Sequence, residues 1–381
     1  MSFLSFPKIF QNTIRNILIL LTLVGTNITV ARSTLAETTP IEREDKNKSL
    51  EIVHTFADTA PGNIAISPDG RLFISVHSFY GEPKYRIYEI LANGDKTPYP
   101  SQQWSTKPDV NQVGINNVLG IRVDRDGILW MLDGQSENYS GRLIAWDTKK
   151  EQLHQIIYLS KPVTIASSFL NDIAVDKDNN AIYIADSAGA IIIADLNTGK
   201  TRRVLNGSKF TTPEDIDMVI DGQVVTLNGS PARIGINPIT IDAENKWVYF
   251  APMSSTSLYR LRTIDFLDTT LTDELLNQRV ERYGDKTPSD GSTIDSAGNV
   301  YITSVTEDAI GVTTPDGSYN ILHQADFLSW TDGFAVGADG YIYATVNELH
   351  RSPVLNGGES TAQGEFAIVR FKPLAKTQIG R

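Results

Sequence analysis

Apolar stretches typical of β-strands, separated by tight polar turns, recur along this chain. One pattern occurs six times: an apolar strand, an acidic or glycine turn, and a second strand rich in aromatic and β-branched residues. Its copies begin at Ile64, Ile121, Ile173, Ile239, Ser292 and Phe334. The positions just after each first strand, from Ser67 to Gly337, are 57, 52, 66, 53 and 42 residues apart by subtraction. A unit of roughly 50 residues built of strands and turns predicts a four-stranded sheet, the blade of a β-propeller.

The repeats therefore predict an all-β fold, a six-bladed β-propeller over residues 50–373, followed by a C-terminal tail at 374–381. Only Leu271–Arg282 carries apolar residues at helical spacing, which predicts a short helix between two blades. Phe366–Phe371 is predicted to be a late strand of the sixth blade. Ser49–Phe56 is predicted to complete that blade, because pairing the two strands closes the ring and removes two exposed edges.

The N-terminus has the pattern of a processing segment. Two basic residues precede the apolar run Ile17–Val24, and small residues follow as far as Ala31 and Ala36, either of which is a candidate cleavage site. Residues 1–36 are thus predicted to be a signal peptide of a secreted or periplasmic protein, with an uncleaved anchor as the alternative. The apolar run is shorter than the ~20 residues that span a bilayer, so no stable membrane span is expected after processing. Residues 37–49 are predicted to be a disordered lead-in.

Composition excludes several classes of function. The net charge of −11 argues against a nucleic-acid partner, because phosphate binding requires a basic surface. The absence of cysteine rules out disulfides and a cysteine-linked lipid anchor, so stability must come from burial and sheet hydrogen bonds. Zinc and copper are disfavoured, since there is no thiolate and the five histidines show no ligand spacing. No serine nucleophile elbow or phosphate-binding loop is present.

The residues that start the innermost strands are the candidate functional positions, since that is where a propeller faces its channel. Counting five residues back from each repeat position gives Gly62, Leu119, Asn171, Asn237, Asp290 and Asp332. The last four carry oxygen ligands from four different blades, which suits Ca²⁺ or another hard divalent cation. They are the predicted metal ligands. The alternative is a structural polar ring whose side chains bond to the local backbone.

Four further residues are predicted to bind a ligand at the same mouth. Asn63, Asn117 and Asp172 are direct or near neighbours of the ring positions, and Arg233 could meet an anionic group. The catalytic residues are unknown, with Asp290 and Asp332 as the candidates.

Three aromatic or imidazole side chains are assigned mainly structural roles. Trp330 is predicted to be a blade-packing residue in preference to a substrate platform. His77 and His350 follow inner strands and are expected to be exposed loop histidines, with a general base as the alternative.

The order of these motifs resembles the yellow/major royal jelly protein family. The similar stretches include GILWMLDGQ at 127–135, the segment 171–205, GINPITIDAENKWVYFAPMSSTSLYRLRT at 235–263, the segment 290–310 and LSWTDGFAVGADGYIYAT at 328–345. The resemblance implies a six-bladed propeller. It also implies either dopachrome conversion, as in some members, or a secreted role without catalysis, as in others. The chain lacks the cysteines of many animal relatives, so no disulfide transfers from them.

A broader similarity is to the gluconolactonase/regucalcin propellers, which bind one divalent cation through a glutamate, two asparagines and an aspartate. Asn171, Asn237 and Asp290 fall in motifs similar to those of the two asparagines and the aspartate. Gly62 stands in the place of the glutamate, which puts lactonase chemistry in doubt unless Asp332 replaces that charge.

Together these patterns predict an exported propeller that binds a small molecule at the channel mouth, around a divalent cation or without one. The family resemblance implies dopachrome-tautomerase-like activity as one possible function. The alternatives are a Ca²⁺-dependent lactonase and a non-catalytic binding or interaction protein. No organic cofactor is expected, and a protein partner is left open.

Overall fold

A computed structural model describes residues 50–109 and 113–380 of the chain. The predicted signal peptide over residues 1–36 and the predicted lead-in over residues 37–49 lie outside the described residues. Within the described part, six four-stranded antiparallel sheets form a ring, so the predicted all-β, six-bladed propeller is confirmed. The first strand of each blade contacts the first strands of the neighbouring blades around the axis.

Blades one to three follow each other along the chain, and each has its strands in sequence order. Blade one contains β2 (Ile64–Ile66), β3 (Leu72–Ser75), β4 (Ile87–Ile90) and β5 (Lys96–Pro98), and the N-terminal strand β1 (Leu50–Phe56) precedes it. Blade two contains β6 (Val118–Val123), β7 (Ile128–Asp133), β8 (Gly141–Asp147) and β9 (Gln152–Leu159). Blade three contains β10 (Leu170–Asp176), β11 (Ala181–Asp186), β12 (Ala190–Asp195) and β13 (Thr201–Val204).

Two small hairpins separate blades three and four: β14 (Val219–Ile220) with β15 (Gln223–Val224), and β16 (Thr226–Leu227) with β17 (Ser230–Pro231). Blade four contains β18 (Ile236–Ile241), β19 (Trp247–Pro252), β20 (Ser257–Arg262) and β21 (Glu281–Asp285). Blade five contains β22 (Ser289–Ile294), β23 (Val300–Ser304), β24 (Ala309–Thr313) and β25 (Tyr319–Gln324). Blade six contains β26 (Thr331–Val336), β27 (Ile342–Val346) and β28 (Phe366–Phe371).

The ring is closed by pairing the two ends of the described chain. Strand β1 pairs antiparallel with β28, with Leu50 opposite Phe371 and Phe56 opposite Phe366, and it is the outermost strand of blade six. This confirms the predicted closure. Both strands thereby gain a hydrogen-bonded neighbour at a place where an unpaired edge would otherwise be exposed.

Helices are short and lie outside the sheets. They are α1 (Gln102–Ser105), α2 (Thr263–Leu267) and α3 (Asp273–Arg279), with three 3₁₀ turns at Ser78–Tyr80, Asp326–Leu328 and Leu349–Arg351. Helix α3 begins after Thr272, whose hydroxyl caps it by accepting from the Leu275 backbone N–H, and it confirms the helix predicted within Leu271–Arg282. Among the described residues, no helix combines the length and apolar character needed to cross a membrane.

The repeated sequence pattern has a direct structural cause. In three blades the acid that ends or directly follows the first strand accepts a hydrogen bond from an aromatic side chain on the second strand. The pairs are Trp130 Nε1 to Asp124 (3.0 Å), Tyr183 OH to Asp176 (3.1 Å) and Tyr301 OH to Asp295 (2.9 Å). Each acid therefore fixes the hairpin between the two inner strands, which explains why the acid and the aromatic residue recur together.

The C-terminal tail lies across the end of the channel where these hairpins turn. The backbone N–H of Leu374 donates to Tyr301 OH (2.6 Å) in blade five, and Gly380 lies beside Asp124 in blade two. Blades two and five face each other across a ring of six. Residues 374–380 therefore cross the axis at the end opposite to the one where the innermost strands begin.

Candidate functional site

A cavity of about 540 Å³ lies at the end of the channel where the innermost strands begin. We call it the central cavity; its size is within the range of small-molecule sites, ~300–1,000 Å³. Side chains from blades one to six line it, together with residues of the insertion between blades three and four.

The predicted ring residues Asn171, Asn237, Asp290 and Asp332 all line the central cavity, as do Gly62 and Leu119. Each of the four polar residues is the second residue of an innermost strand: β10, β18, β22 and β26. The pairing register shifts at this point in all four blades, which marks a β-bulge or irregularity there. A bulge re-aims side chains at a strand end. We call these four residues the floor.

Asp290 and Asp332 are held differently. The carboxylate of Asp290 is buried and accepts hydrogen bonds on both oxygens, from Trp330 Nε1 (2.7 Å) and from Asn237 Nδ2. Asp332 is partly exposed, and its Oδ2 accepts from Asn347 Nδ2 (2.7 Å). The Asp290 carboxyl is therefore held in one position, whereas Asp332 is the carboxyl best placed to contact a molecule in the cavity.

A third carboxylate lies close to these two. Asp172 is buried, accepts from Asn63 Nδ2 (3.1 Å) and lies 3.4 Å from the Arg122 guanidinium. Burial raises the pKa of Asp172 to about 6, although Arg122 lowers it in part. Burial also raises the pKa of Asp290 and of Asp332, and the neighbouring carboxylates raise both further. Such clusters of perturbed carboxyl groups in a cavity are typical of functional sites.

The other predicted ligand-binding residues are distributed unevenly. Asn63 lines the cavity, and Arg233 lies at its rim, where Asp215 (2.9 Å) and Asp217 (2.7 Å) already pair with it. Neither Asp172 nor Asn117 belongs to the lining found in the described residues.

Those two residues are placed elsewhere for physical reasons. The side chain of Asp172 turns toward the buried Arg122, and the Asn117 backbone N–H donates to the Asp133 carboxylate (2.9 Å) in its own blade. Asp172 therefore lies behind the lining of the cavity, and the backbone of Asn117 is fixed within blade two. That the two residues bind a ligand stays a prediction.

His77 corrects an expectation. It is 4% exposed and lines the central cavity, and the His350 side chain is 8% exposed, so the prediction of exposed loop histidines is wrong for both. Burial lowers its pKa to about 4, which keeps the imidazole neutral at physiological pH. A Cβ at Gly62 would lie 3.0 Å from His77 Cδ2. The imidazole thus packs against the ring position of blade one, where a side chain larger than that of glycine would crowd it.

The walls of the cavity are mainly apolar and aromatic. Phe79 and Phe169 face each other at 6.3 Å between ring centroids, and Trp330 and Met253 lie close to the floor. Trp330 is fully buried, as expected of a packing residue, and it also lines the cavity, has a left-handed backbone (φ 54°) and stacks on His350. A bulky residue with positive φ is a strained conformation, and such strain concentrates at functional sites.

The insertion between blades three and four covers part of the mouth. Its residues Leu227 and Ile234 line the cavity with Leu349 and Leu355 from blade six, and together they belong to one apolar cluster. An ion pair between Asp221 and Arg351 (2.8 Å) joins the same two segments. We call residues 214–235 the cap. The longest repeat interval, 66 residues, is the sequence signal of this insertion.

Fold and cavity together define a six-bladed β-propeller with a small-molecule-sized pocket at one mouth of its channel. The profile of the family "Major royal jelly protein" matches residues 117–351, which is more than half of the chain. The chain belongs to this family, and the family resemblance predicted from its motifs is confirmed.

Curated relatives agree with this assignment. Major royal jelly protein 5 of Apis mellifera is 27% identical over 215 residues, which cover 52% of this chain and 35% of that protein. Major royal jelly protein 6 of the same organism is 23% identical over 258 residues, covering 63% of this chain and 57% of that protein. The chain thus spans about a third to somewhat over half of these relatives.

Two solved propellers share the fold at low sequence identity. A luciferin-regenerating enzyme has a TM-score of 0.54 and 12% identity, with coverage of 87% of this chain and 97% of that one. A gluconolactonase from Xanthomonas campestris has a TM-score of 0.53 and 12% identity, with coverage of 85% and 89%. At such identity the likeness establishes the architecture and leaves the chemistry to be argued from the residues.

Proposed function

We propose that this propeller binds a small organic molecule in the central cavity, with an apolar body against the walls and a positively charged group at the floor. The observation that supports the proposal most strongly is that one cavity combines apolar walls with an acidic floor. Phe79, Phe169 and Met253 line its walls, while Asp290 and Asp332 lie at the floor with Asp172 nearby. Apolar burial supplies affinity, and the carboxylates select the sign of the charge.

The polar contacts support an organic cation. Arg122 is the guanidinium paired with Asp172, and none of the ion pairs within the described residues joins a cation to Asp290 or Asp332. An ammonium group that reaches Asp332 would therefore neutralise charge that the protein leaves largely uncompensated. Such a contact is charge-assisted and takes place away from bulk water, where it is stronger.

A matched series of probes tests this proposal. Phenethylamine, 2-phenylethanol and 3-phenylpropionate share a phenyl body and differ in charge. The differences between their affinities, measured by isothermal titration calorimetry, therefore report how the floor contributes to binding. We expect phenethylamine to bind at least about tenfold more tightly than the alcohol, a difference of ~1.4 kcal/mol. The carboxylate should bind more weakly than both. Equal affinities for all three, or binding of none, would refute the proposal.

A divalent cation at the floor is the second candidate, favoured by four oxygen-bearing side chains from four blades around one cavity. The donor types fit a hard cation. However, both oxygens of Asp290 accept N–H donors, so the Asn237 amide would have to turn its oxygen inward. Asn171, Asn237, Asp290 and Asp332 would hold the ion, which in a lactonase would supply Lewis acidity to a bound carbonyl.

Thermal unfolding distinguishes the two candidates. A cation bound in the native state raises the melting temperature by mass action. If the floor holds Ca²⁺, 1 mM CaCl₂ should raise the melting temperature relative to 1 mM EDTA, and the Asp290→Ala variant should abolish the shift. An unchanged melting temperature, together with no metal in elemental analysis, would remove the lactonase proposal and leave the organic cation in place.

Dopachrome conversion is the enzymatic activity that the family resemblance implies. It would require a proton donor and acceptor, and carboxyls of raised pKa such as Asp290 and Asp332 are suited to proton transfer near neutral pH. Dopachrome itself carries a carboxylate, which the acidic floor repels. The charge of the cavity therefore favours binding of a cation over tautomerisation of this anion.

A further inference from the structure

Asn347 is a fully buried residue that directly follows β27, at the place where blade six meets blade one. Its side chain makes three hydrogen bonds. Nδ2 donates to Asp332 Oδ2 (2.7 Å) and to the Pro61 carbonyl (3.0 Å). Oδ1 accepts from the Leu349 backbone N–H (3.1 Å). The amide of Asn347 is therefore fully paired within the described part of the chain.

These contacts allow only one orientation of the Asn347 amide. Both Nδ2 hydrogens point to acceptor oxygens, and Oδ1 faces a backbone N–H, which can only donate. If the amide turned over, its oxygen would face two oxygens and its NH₂ group would face an N–H. Buried polar groups would then lose their partners, which is costly. Asn347 therefore presents a hydrogen-bond donor to residue 332.

The fixed amide determines which atom of Asp332 is left for a ligand. Asp332 lines the central cavity, and its Oδ2 is engaged by Asn347. Its Oδ1 makes no hydrogen bond or ion pair within residues 50–109 and 113–380. Asp290 differs, because N–H donors engage both of its oxygens. Oδ1 of Asp332 is thus the oxygen of these two carboxyls that remains open to a bound molecule.

We propose that Asn347 is a positioning residue that sets the hydrogen-bonding character of the floor. By holding one oxygen of Asp332, it leaves an acceptor for the ligand, so the group that binds there must donate a hydrogen bond. This inference rests on the proposed function and narrows it. The ligand is a protonated amine whose N–H group reaches Asp332, since a positive charge without a donor would leave that oxygen unpaired.

A double variant tests whether Asn347 controls residue 332. In Asp332→Asn the new amide oxygen should accept from Asn347 Nδ2, so its NH₂ group should face the cavity and oppose an ammonium group. Adding Asn347→Leu removes the fixed donor, and the amide at position 332 can then turn its oxygen to the ligand. We expect the double variant to bind phenethylamine about fivefold more tightly than Asp332→Asn in calorimetry at pH 7.5. A purely structural role of Asn347 would instead cause a further loss.

Asn320 provides a matched control for the second substitution. It is an exposed asparagine of β25 and lies outside the lining of the central cavity. Adding Asn320→Leu to Asp332→Asn should therefore leave the affinity for phenethylamine unchanged. Circular dichroism checks that each variant is folded.

A second measurement leaves Asn347 unchanged. The ketone 4-phenyl-2-butanone accepts hydrogen bonds and cannot donate them. Because Asn347 turns the NH₂ group of Asp332→Asn toward the cavity, this variant should bind the ketone about fivefold more tightly than Asp332→Leu, which is also uncharged but has no donor.

The possible outcomes separate this proposal from the proposed function. No gain of phenethylamine affinity in a folded Asp332→Asn/Asn347→Leu variant, or an equal gain with Asn320→Leu, would overturn the role of Asn347. If the double variant does not fold, equal affinities of Asp332→Asn and Asp332→Leu for the ketone would overturn it. Failure of the wild type to bind phenethylamine, with the ketone preference of Asp332→Asn intact, would refute the proposed function alone.

Discussion

Replacing Arg122 with methionine is expected to lower the free energy of unfolding at pH 7 by about 3–5 kcal/mol, the usual loss when a buried ion pair keeps one partner. Arg122 is 3% exposed, and its Nη1 donates to the Phe334 carbonyl (2.6 Å) in blade six. Its Nη2 lies 3.4 Å from Asp172 in blade three. Methionine keeps much of the apolar stem and removes the charge, so Asp172 stays buried beside two other carboxyls without its cationic partner.

Urea denaturation, followed by circular dichroism and tryptophan fluorescence, measures this loss. Without Arg122 the pKa of Asp172 should rise further above its unfolded value. A carboxyl whose pKa is raised by folding stabilises the protein while protonated, and this contribution is lost as the pH rises through the folded pKa. The loss caused by Arg122→Met should therefore be smaller at pH 5 than at pH 7.

Two variants control this experiment. Arg125→Met removes an exposed pair with Asp178 and should cost about 1 kcal/mol or less. Adding Asp172→Asn to Arg122→Met should recover part of the stability, because it removes the stranded charge. A loss below 1 kcal/mol in Arg122→Met, or no recovery in the double variant, would contradict the importance given to this carboxylate cluster.

Replacing Asp332 with asparagine is expected to reduce the affinity for phenethylamine by at least about tenfold at pH 7.5. Asparagine keeps an oxygen that can accept from Asn347 Nδ2, so the floor should hold its shape while it loses a charge. Asp290 is less suitable for this test. Both of its oxygens accept from N–H donors, and an amide there would oppose one donor with another.

The pH dependence of binding follows from the same groups. Folding raises the pKa of Asp290 and of Asp332, so both carboxyls take up protons well above their ordinary range. Wild-type affinity for phenethylamine should therefore fall as the pH is lowered from 8 to 5, and calorimetry at several pH values measures this. Asp316 is an exposed acid outside the lining of the central cavity, so Asp316→Asn serves as the control and should match the wild type. A flat pH profile in the wild type would contradict the role of the floor.

The repeats predicted the architecture and the floor because both depend on local order along the chain. Each blade keeps the distance from the turn after its first strand back to the start of the innermost strand, and three blades also pair the acid with an aromatic side chain. Counting back from Asp176 and Asp295 therefore reaches Asn171 and Asp290, both of which line the cavity. The ring of six then brings positions that are far apart in sequence around one axis.

The features that could not be predicted from the sequence depend on contacts between distant segments of the chain. His77 is buried beside Gly62 and Phe79, and an isolated histidine after a strand gives no indication of that packing. The cap is indicated by a long interval, but its packing against Leu349 and Leu355 joins blade six to an insertion more than 100 residues earlier.

The most direct test of the central claim is a crystal structure of the protein soaked with 4-bromophenethylamine, in which the anomalous signal of bromine locates the ligand. We predict one bromine peak in the central cavity, between the walls formed by Phe79, Phe169 and Leu355, with the ammonium group within hydrogen-bond distance of Asp332. A peak elsewhere on the protein, or an empty cavity at a ligand concentration that saturates binding in solution, would contradict the account.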